Sequence, residues 1–572
     1  MATEITKPII LDETYRELME KQNNLLAAIA SGNAGADFVD ATFQSLLDGT
    51  NTTTVFYSWW PLSAGDNVTK YDRLVRFAKM LATYAKDKTY TLRYYLPSVS
   101  SDYNGTPLDD LADGREAAPL VTDASDTVED WAENDPFTWY VRANALSLSD
   151  GTMNVLAVEG EADFDLSGAT APVYCFAVAY CMAEWEDSSY YYESYRMSEG
   201  GKYKPLAEGI DPTGARRWLT WHAAFYGGKT SAGGITSGAG LPPMPWVSAS
   251  AALPMVRITS AYEGEYTDCD AQYIISQWRL RHWTLSNSGK AEGCNSYNCQ
   301  YTLAAAESDV KRVLLTAAQA ANILVGSGVC LGEKGSNTNT DRNQSYNHDI
   351  TQWAKVISKE VVTVDSTEYT ALTLDLDSTI TTTTTMLVST MPWPSGTTEA
   401  LQRHCDGSIT SLTNGKYPYR VAGIEMEIGS FTEQLDPLWN VSVTDEKYHY
   451  AIYSCRDSVN QATSITSNYV ANGEIVLPDA LTHTWHYIKR LGALVKEAVL
   501  PIEWGGSSAT YQRDAFYSSS GPGLRSPWRF GLLSHGGPCG VGCCSGPLAP
   551  GTSYFHGVPR LAGAGKKRGE SA

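Results

Sequence analysis

The chain has 572 residues, 19% of them charged and 11% aromatic, with Tyr (34) and Trp (16) outnumbering Phe (12). At roughly 150 residues per domain this length predicts three or four domains, and the composition excludes disorder, collagen or a coiled-coil rod for most of the chain. The 43 basic and 64 acidic residues give a formal net charge of −21, which argues against nucleic acid or an anionic membrane as the main partner.

The first expected element is a helix. Leu11, Leu18 and Leu25 recur every seventh residue, with Tyr15, Gln22 and Ile29 four residues after each. That seam suits burial between parallel helices, so residues 1–50 are assigned to oligomerisation or attachment, with a homotrimer expected. Residues 51–200 read as an α+β domain. Val55–Trp60 and Tyr90–Tyr95 have the aromatic and β-branched texture of strands, and Asp72–Ala85 puts Leu74, Phe77, Ala78 and Leu81 on one helical face. Residues 201–400 read as β-rich. A helix is expected over Ala304–Val325, with Val310, Val313, Leu314, Ala317, Ala321 and Leu324 as its stripe. An all-β insertion is expected at about 345–400, where Leu372, Leu374 and Leu376 alternate with polar residues. The fold class is therefore multi-domain α+β, with a β-rich middle.

No signal-peptide pattern opens the sequence, and no apolar run is long enough to span a bilayer. Eleven dispersed cysteines predict synthesis in a reducing cytoplasm with mostly free thiols.

Catalytic signals are sparse. Gly227-Gly228-Lys229-Thr230 resembles the end of a phosphate loop, but the glycine needed five positions before Gly228 is Ala223, so a turn is expected. His483 and His486 have a helical spacing without a third ligand, and read as surface histidines. Glu425 with Glu427, and Asp375 with Asp377, could serve a glycosidase. Their i, i+2 spacing fits solvated strand faces instead, with Ile424, Met426 and Ile428 as the buried partners of the first pair. No catalytic residue, metal or cofactor is assigned.

The C-terminal region has a sharper signature. From Phe530 to Gly565 there is no Lys, Glu, Gln, Met or Trp, although all five occur elsewhere in the chain. Those are the residues that a codon ending in cytosine cannot encode, which is the set left by randomising both adenines of an AAC codon. Chemically unrelated residues (His535, Pro538, Cys544, Leu548, Tyr554, His556) are interleaved there with glycine and other small residues. The pattern resembles the variable region of proteins diversified by retroelements. Arg529–Leu532 and Pro559–Gly563 are similar to its fixed frame, and Trp504-Gly505-Gly506 to the turn often found ahead of it.

The resemblance covers about Tyr419–Arg568 and implies a C-type-lectin-like domain over 401–568, similar to formylglycine-generating enzymes, with a variable region at about 529–563. It further implies a phage tail-fibre type of virion protein that binds a bacterial surface receptor, protein or glycan, and meets other virion proteins through its N-terminus. The variable contact positions would be Leu533, Ser534, His535, Pro538, Gly542, Cys544, Ser545, Pro547, Leu548, Gly551, Thr552, Tyr554, Phe555 and His556. The calcium motifs of sugar-binding lectins are absent, so no calcium is expected. A virion glycosidase and a purely structural tail or capsid protein stay open as alternatives.

Overall fold

The computed structural model describes residues 69–86, 89–96, 136–137, 139–210, 215–282, 284–287, 292–401, 415–426, 431–455, 457–477, 483–492, 499–519 and 521–562. The heptad at 11–29 and the strand expected at 55–60 lie outside them.

The chain is β-rich, with several sheets and few helices. Helix α1 (Lys70–Tyr84) starts at Thr69, whose side chain accepts from the Asp72 backbone N–H, satisfying one of the donors a helix start leaves over. The stripe Leu74, Phe77, Ala78 and Leu81 is buried, as its spacing predicts. The strand expected at 90–95 forms as Thr89–Tyr95, pairing antiparallel with Tyr190–Arg196 in a four-stranded sheet completed by Cys181–Glu186 and Lys204–Pro205. A second four-stranded sheet holds Met153–Val158, Tyr140–Ser147, Val173–Val178 and Leu219–Ala223, and α1 packs across it.

After a short helix α2 (Ala249–Val256) comes α3 (Asp268–His282), all fifteen residues of which are buried. Several of its polar side chains have specific partners. Asp270 meets His222 at 2.8 Å, Gln277 donates to the Phe137 carbonyl at 2.7 Å, Arg279 pairs with Glu193, and Asp268 pairs with Arg529. Acidic residues open this helix and Arg279, Arg281 and His282 close it, which suits its dipole.

The all-β insertion is larger than expected. Six strands are ordered Gln300–Thr302, Leu387–Met391, Gly328–Gly332, Thr351–Val364, Thr367–Leu374 and Arg312–Leu315. They carry their own core of Val313, Leu315, Val329, Leu331, Val356, Leu372 and Val388. The helix expected over 304–325 does not form. Arg312–Leu315 is the sheet's edge strand, and only Ala317–Ala320 is helical, started by a capping box between Thr316 and Gln319. The apolar stripe arose because a strand and one helical turn together mimicked a 3.6-residue period, while Val313-Leu314-Leu315 gains more by pairing with Thr370–Leu372.

Two sheets build the C-terminal part. Val470–Val476, Lys447–Ser454, Leu438–Thr444 and Gly523–Arg525 form one. The other has seven strands in the order Leu500–Trp504, Trp485–Gly492, Ala515–Tyr517, Cys544–Ser545, Trp528–Arg529, Phe431–Glu433 and Gly557–Val558. Leu561–Ala562 then pairs antiparallel with Gly264–Glu265, immediately before α3. One hydrophobic cluster runs through residues from Leu74 to Leu561.

Three local expectations change. Gly227–Lys229 is a strand paired with Ile235–Ser237, not a turn. A Cβ on Gly227 would lie 2.5 Å from Ile235 and 2.6 Å from the Pro559 carbonyl, so this glycine permits a close backbone approach. His483 and His486 are not on a helix, since Trp485–Gly492 is a strand. His483 is exposed and His486 is buried, packing edge-on to Trp504 at 5.9 Å. Glu425 is buried rather than solvated. Its carboxylate accepts from the Gly396 N–H at 2.8 Å and from the Thr398 N–H and hydroxyl at 3.0 and 2.9 Å, closing a turn. Asp375 is exposed, as expected for a strand margin.

Candidate functional site: the segment 529–562

The segment begins and ends in buried cations. Arg529 donates through Nε and Nη2 to one Asp268 oxygen at 3.1 and 2.6 Å, and through Nη2 to the Val499 carbonyl at 2.7 Å. The other Asp268 oxygen accepts from the Val499 N–H at 3.1 Å. Arg560 donates to the Glu425 and Ala223 carbonyls, both at 2.6 Å, and its guanidinium lies 5.2 Å from the Tyr226 ring. Trp528 and Phe530 are fully buried beside the first of these anchors.

Between the anchors, groups from outside the segment hold its backbone. The Asn295 carbonyl accepts from the Gly536 N–H at 3.0 Å, and the Asn287 side chain accepts from the Val541 N–H at 3.1 Å. Asp514 accepts from the Gly542 N–H at 2.7 Å, and the Asn343 side chain accepts from the Phe555 N–H at 3.0 Å. The backbone N–H groups of Ala515, Ser526, Ser250 and Trp246 donate to the carbonyls of Pro538, Leu548, Pro550 and Tyr554 at 2.9–3.0 Å. A Cβ on Gly540 would strike Asp514 and Asn287, so a glycine fits there. Much of the loop path is thus set by backbone bonds to groups outside the loop. Buried backbone groups need such partners.

Strand register places the side chains. Trp485 pairs with Tyr517, Tyr517 with Ser545, and Ser545 with Trp528. These four therefore share one face of the sheet, while His486, Phe516, Cys544 and Arg529 share the other.

The fourteen sequence-derived contact positions divide accordingly. Ser534 and Gly551 are exposed, and His535, Pro538, Pro547, Leu548, Thr552 and Tyr554 are half-buried. Leu533, Gly542, Cys544, Ser545, Phe555 and His556 are buried. Leu533 and Phe555 pack with Tyr297, Met391 and Trp393 against the insertion. Cys544 lies in the main core. A Cβ on Gly542 would sit 3.0 Å from both Asp514 and Leu491, leaving little room for a larger residue.

Three of the half-buried positions, His535, Leu548 and Tyr554, lie at one aromatic patch. Trp485, Leu548 and Tyr554 pack against Trp528, Leu532 and Cys543. His535 meets Trp485 edge-on at 4.7 Å, Tyr517 lies 4.8 Å from Trp485, and Tyr554 stacks on His556 at 5.5 Å. No acidic or basic residue occurs from Phe530 to Val558. Burial lowers the His535 imidazole to about 4. Burial, and then the neighbouring His535 and Arg342, hold His556 well below the ordinary histidine range. Both rings are neutral at pH 7. Burial also raises the thiols of Cys539, Cys543 and Cys544, the last to about 12, so none is an activated nucleophile. Among the described residues no group of three or more His, Cys, Asp or Glu is placed to hold a metal ion.

Sequence reasoning missed Trp485, Tyr517 and the buttresses Asn287, Asn295, Asn343 and Asp514. They lie up to 254 residues from their partners, and a lone Asn or Asp in a loop carries no signal of its own. No family model matches the chain, and no curated protein is similar to it in sequence.

Proposed function

We propose that the protein is a phage virion component that binds a receptor on the bacterial surface through the segment at 529–563, diversified by a retroelement. One observation carries this reading. The stretch that lacks Lys, Glu, Gln, Met and Trp is also a stretch whose backbone is bonded by groups outside it. Such an arrangement lets side chains change while the loop path stays fixed, which is what a rigid, variable recognition surface requires.

In this reading the contact residues are Ser534, His535, Pro538, Pro547, Leu548, Gly551, Thr552 and Tyr554. The C-terminal body is C-type-lectin-like, closed by the pairing of Gly264–Glu265 with Leu561–Ala562. The seam at 11–29 assembles a homotrimer that multiplies weak contacts, and the N-terminus meets other virion proteins. Among the described residues no helix is long and apolar enough to cross a membrane, which accords with a virion location. The protein performs no catalytic step of its own.

The test is genomic and then functional. The locus should hold a second copy of the 529–563 coding stretch beside a reverse transcriptase gene, with differences between the copies at adenine positions. Sibling phages should differ at the eight contact positions, and exchanging their loops should exchange host range. An invariant loop across siblings, or host range that does not follow it, would overturn the proposal.

A further inference from the structure

The segment does not make its surface alone. Trp485 and Tyr517 lie outside the region lacking the five residue types, yet they occupy the sheet row that continues through Ser545 to Trp528. Both are half-buried. They stand beside His535, Leu548 and Tyr554, with exposed His483 a further 4.7 Å from the Tyr517 ring. A fixed pair of rings thus adjoins changeable ones.

The electrostatics of this face narrow what it can bind. Its loop residues include no charge, and His535 is neutral above about pH 4. The remainder of the chain supplies a formal net charge of −21. An anionic polymer approaching the patch would be repelled by the body and would find no cation on the loop to hold it. A protein receptor would be matched through Trp, Tyr and Arg anchors together with charges paired across the interface; the loop supplies aromatic rings but no charged partner. Aromatic rings and the hydroxyls of Ser534, Thr552, Ser553 and Tyr554 are what the loop does supply. A neutral pyranose has the complementary character, because its C–H face carries partial positive charge suited to the negative face of a ring, and its hydroxyls both donate and accept.

We infer that Trp485 and Tyr517 form the constant half of a binding face for an uncharged cell-surface polysaccharide, with the loop residues around Tyr554 selecting among sugars. This rests on the receptor-binding reading above and gives it a ligand class. Trp485 supplies affinity common to every loop variant, and the loop supplies discrimination. Binding needs no calcium.

The experiment uses the full-length protein and envelope preparations from a panel of bacterial strains, each untreated, protease-digested or periodate-oxidised. Binding is measured by biolayer interferometry with EDTA present and absent. On any strain that is bound, the expected result is binding that survives protease and EDTA, is lost after periodate, and changes less than about twofold between 0.05 and 0.5 M salt, since no charges are paired. Trp485→Ala should weaken binding by about tenfold or more, and it should do so equally in two loop variants. Trp485→Phe keeps a ring and should retain most of the affinity, with circular dichroism confirming that both variants are folded.

Binding that survives periodate and disappears with protease would overturn the polysaccharide inference while leaving receptor binding intact. Steep salt dependence would do the same, and so would a folded Trp485→Ala with unchanged affinity. Failure to bind any strain would remove the receptor reading and this inference together.

Discussion

The ion pair under the segment 529–562 lends itself to a quantitative test. Arg529 and Asp268 are both inaccessible, and two guanidinium nitrogens lie within 3.1 Å of one carboxylate oxygen. Replacing Asp268 with Asn keeps an oxygen for the Val499 N–H but leaves the guanidinium charged in an apolar interior. Breaking one side of a buried pair costs about 3–5 kcal/mol. With a denaturant slope of about 2 kcal/mol per M, this becomes a drop of about 2 M in urea midpoint. Arg529→Met should cost a similar amount, because it strands the carboxylate. The double variant Asp268→Leu/Arg529→Met should recover most of the loss, since a matched apolar pair removes both desolvation penalties. Unfolding followed by tryptophan fluorescence reads all four proteins, because Trp528 adjoins Arg529 in the sheet. A midpoint shift under about 0.5 M for Asp268→Asn, or strictly additive losses in the double variant, would show that the pair is not the clamp described here.

Further outcomes follow from the same geometry. Trp528→Ala should lose about 3–5 kcal/mol as a buried aromatic, whereas half-buried Tyr554→Ala should lose under about 1.5 kcal/mol; equal thermal shifts would erase the distinction between frame and contact residues. Asn287→Ala removes the acceptor for the Val541 N–H and should cost about 1–3 kcal/mol, read by hydrogen exchange as faster opening confined to residues near 533–545. The pH dependence should have two opposed limbs. Burial raises the Glu263 carboxyl, which accepts from Tyr174 and the Ser147 N–H, to about 7. The folded state therefore holds a proton that the unfolded state has released, and stability falls as pH rises from about 4.5 to 7, by up to about 3 kcal/mol. Glu263→Gln should reduce that fall, and Glu184, also raised to about 7, keeps part of it. His535 has the opposite sign: its folded value near 4 lies below the unfolded value near 6.5, so stability is lost as pH drops through that window, and His535→Gln should flatten it. The two windows overlap and oppose, so equilibrium unfolding from pH 4 to 8 resolves each contribution as the difference between its variant and the parent protein.

Regular patterns were legible in the sequence where burial is one-sided. The α1 stripe forms as its periodicity predicts, because it buries a single face, and the strand at 89–95 forms as its aromatic and β-branched texture predicts. The aromatic frame residues Trp528 and Phe530 likewise occupy the core that their size demands. Helix α3 was invisible, since it is buried all round and its charged residues Asp268, Asp270 and Arg279 pair with Arg529, His222 and Glu193 far away in sequence; a hydrophobic stripe is absent when every face is covered. Glu425 misled for a related reason. Its alternation with Ile424 and Met426 implied a solvated side of a strand, but that side is covered by the turn at Gly396–Thr398. At the segment itself, composition marked the stretch but not the orientation. Cys544 and Ser545 are adjacent and equally small, and only the strand register shows that one faces the core and the other the aromatic row.

The closing strand gives the final residues a role out of proportion to their number. Arg560 and Leu561–Ala562 complete bonds to Ala223, Glu425 and Gly264–Glu265, partners fixed far upstream in the chain. A ribosome must finish the whole segment before those partners are met, so the body can close only after residues 529–562 have been made in full. A chain truncated or frameshifted within this stretch would leave that edge unpaired and those carbonyls without their donor. The folded population is therefore drawn from chains translated through to the last strand, and incomplete chains are left open to proteolysis.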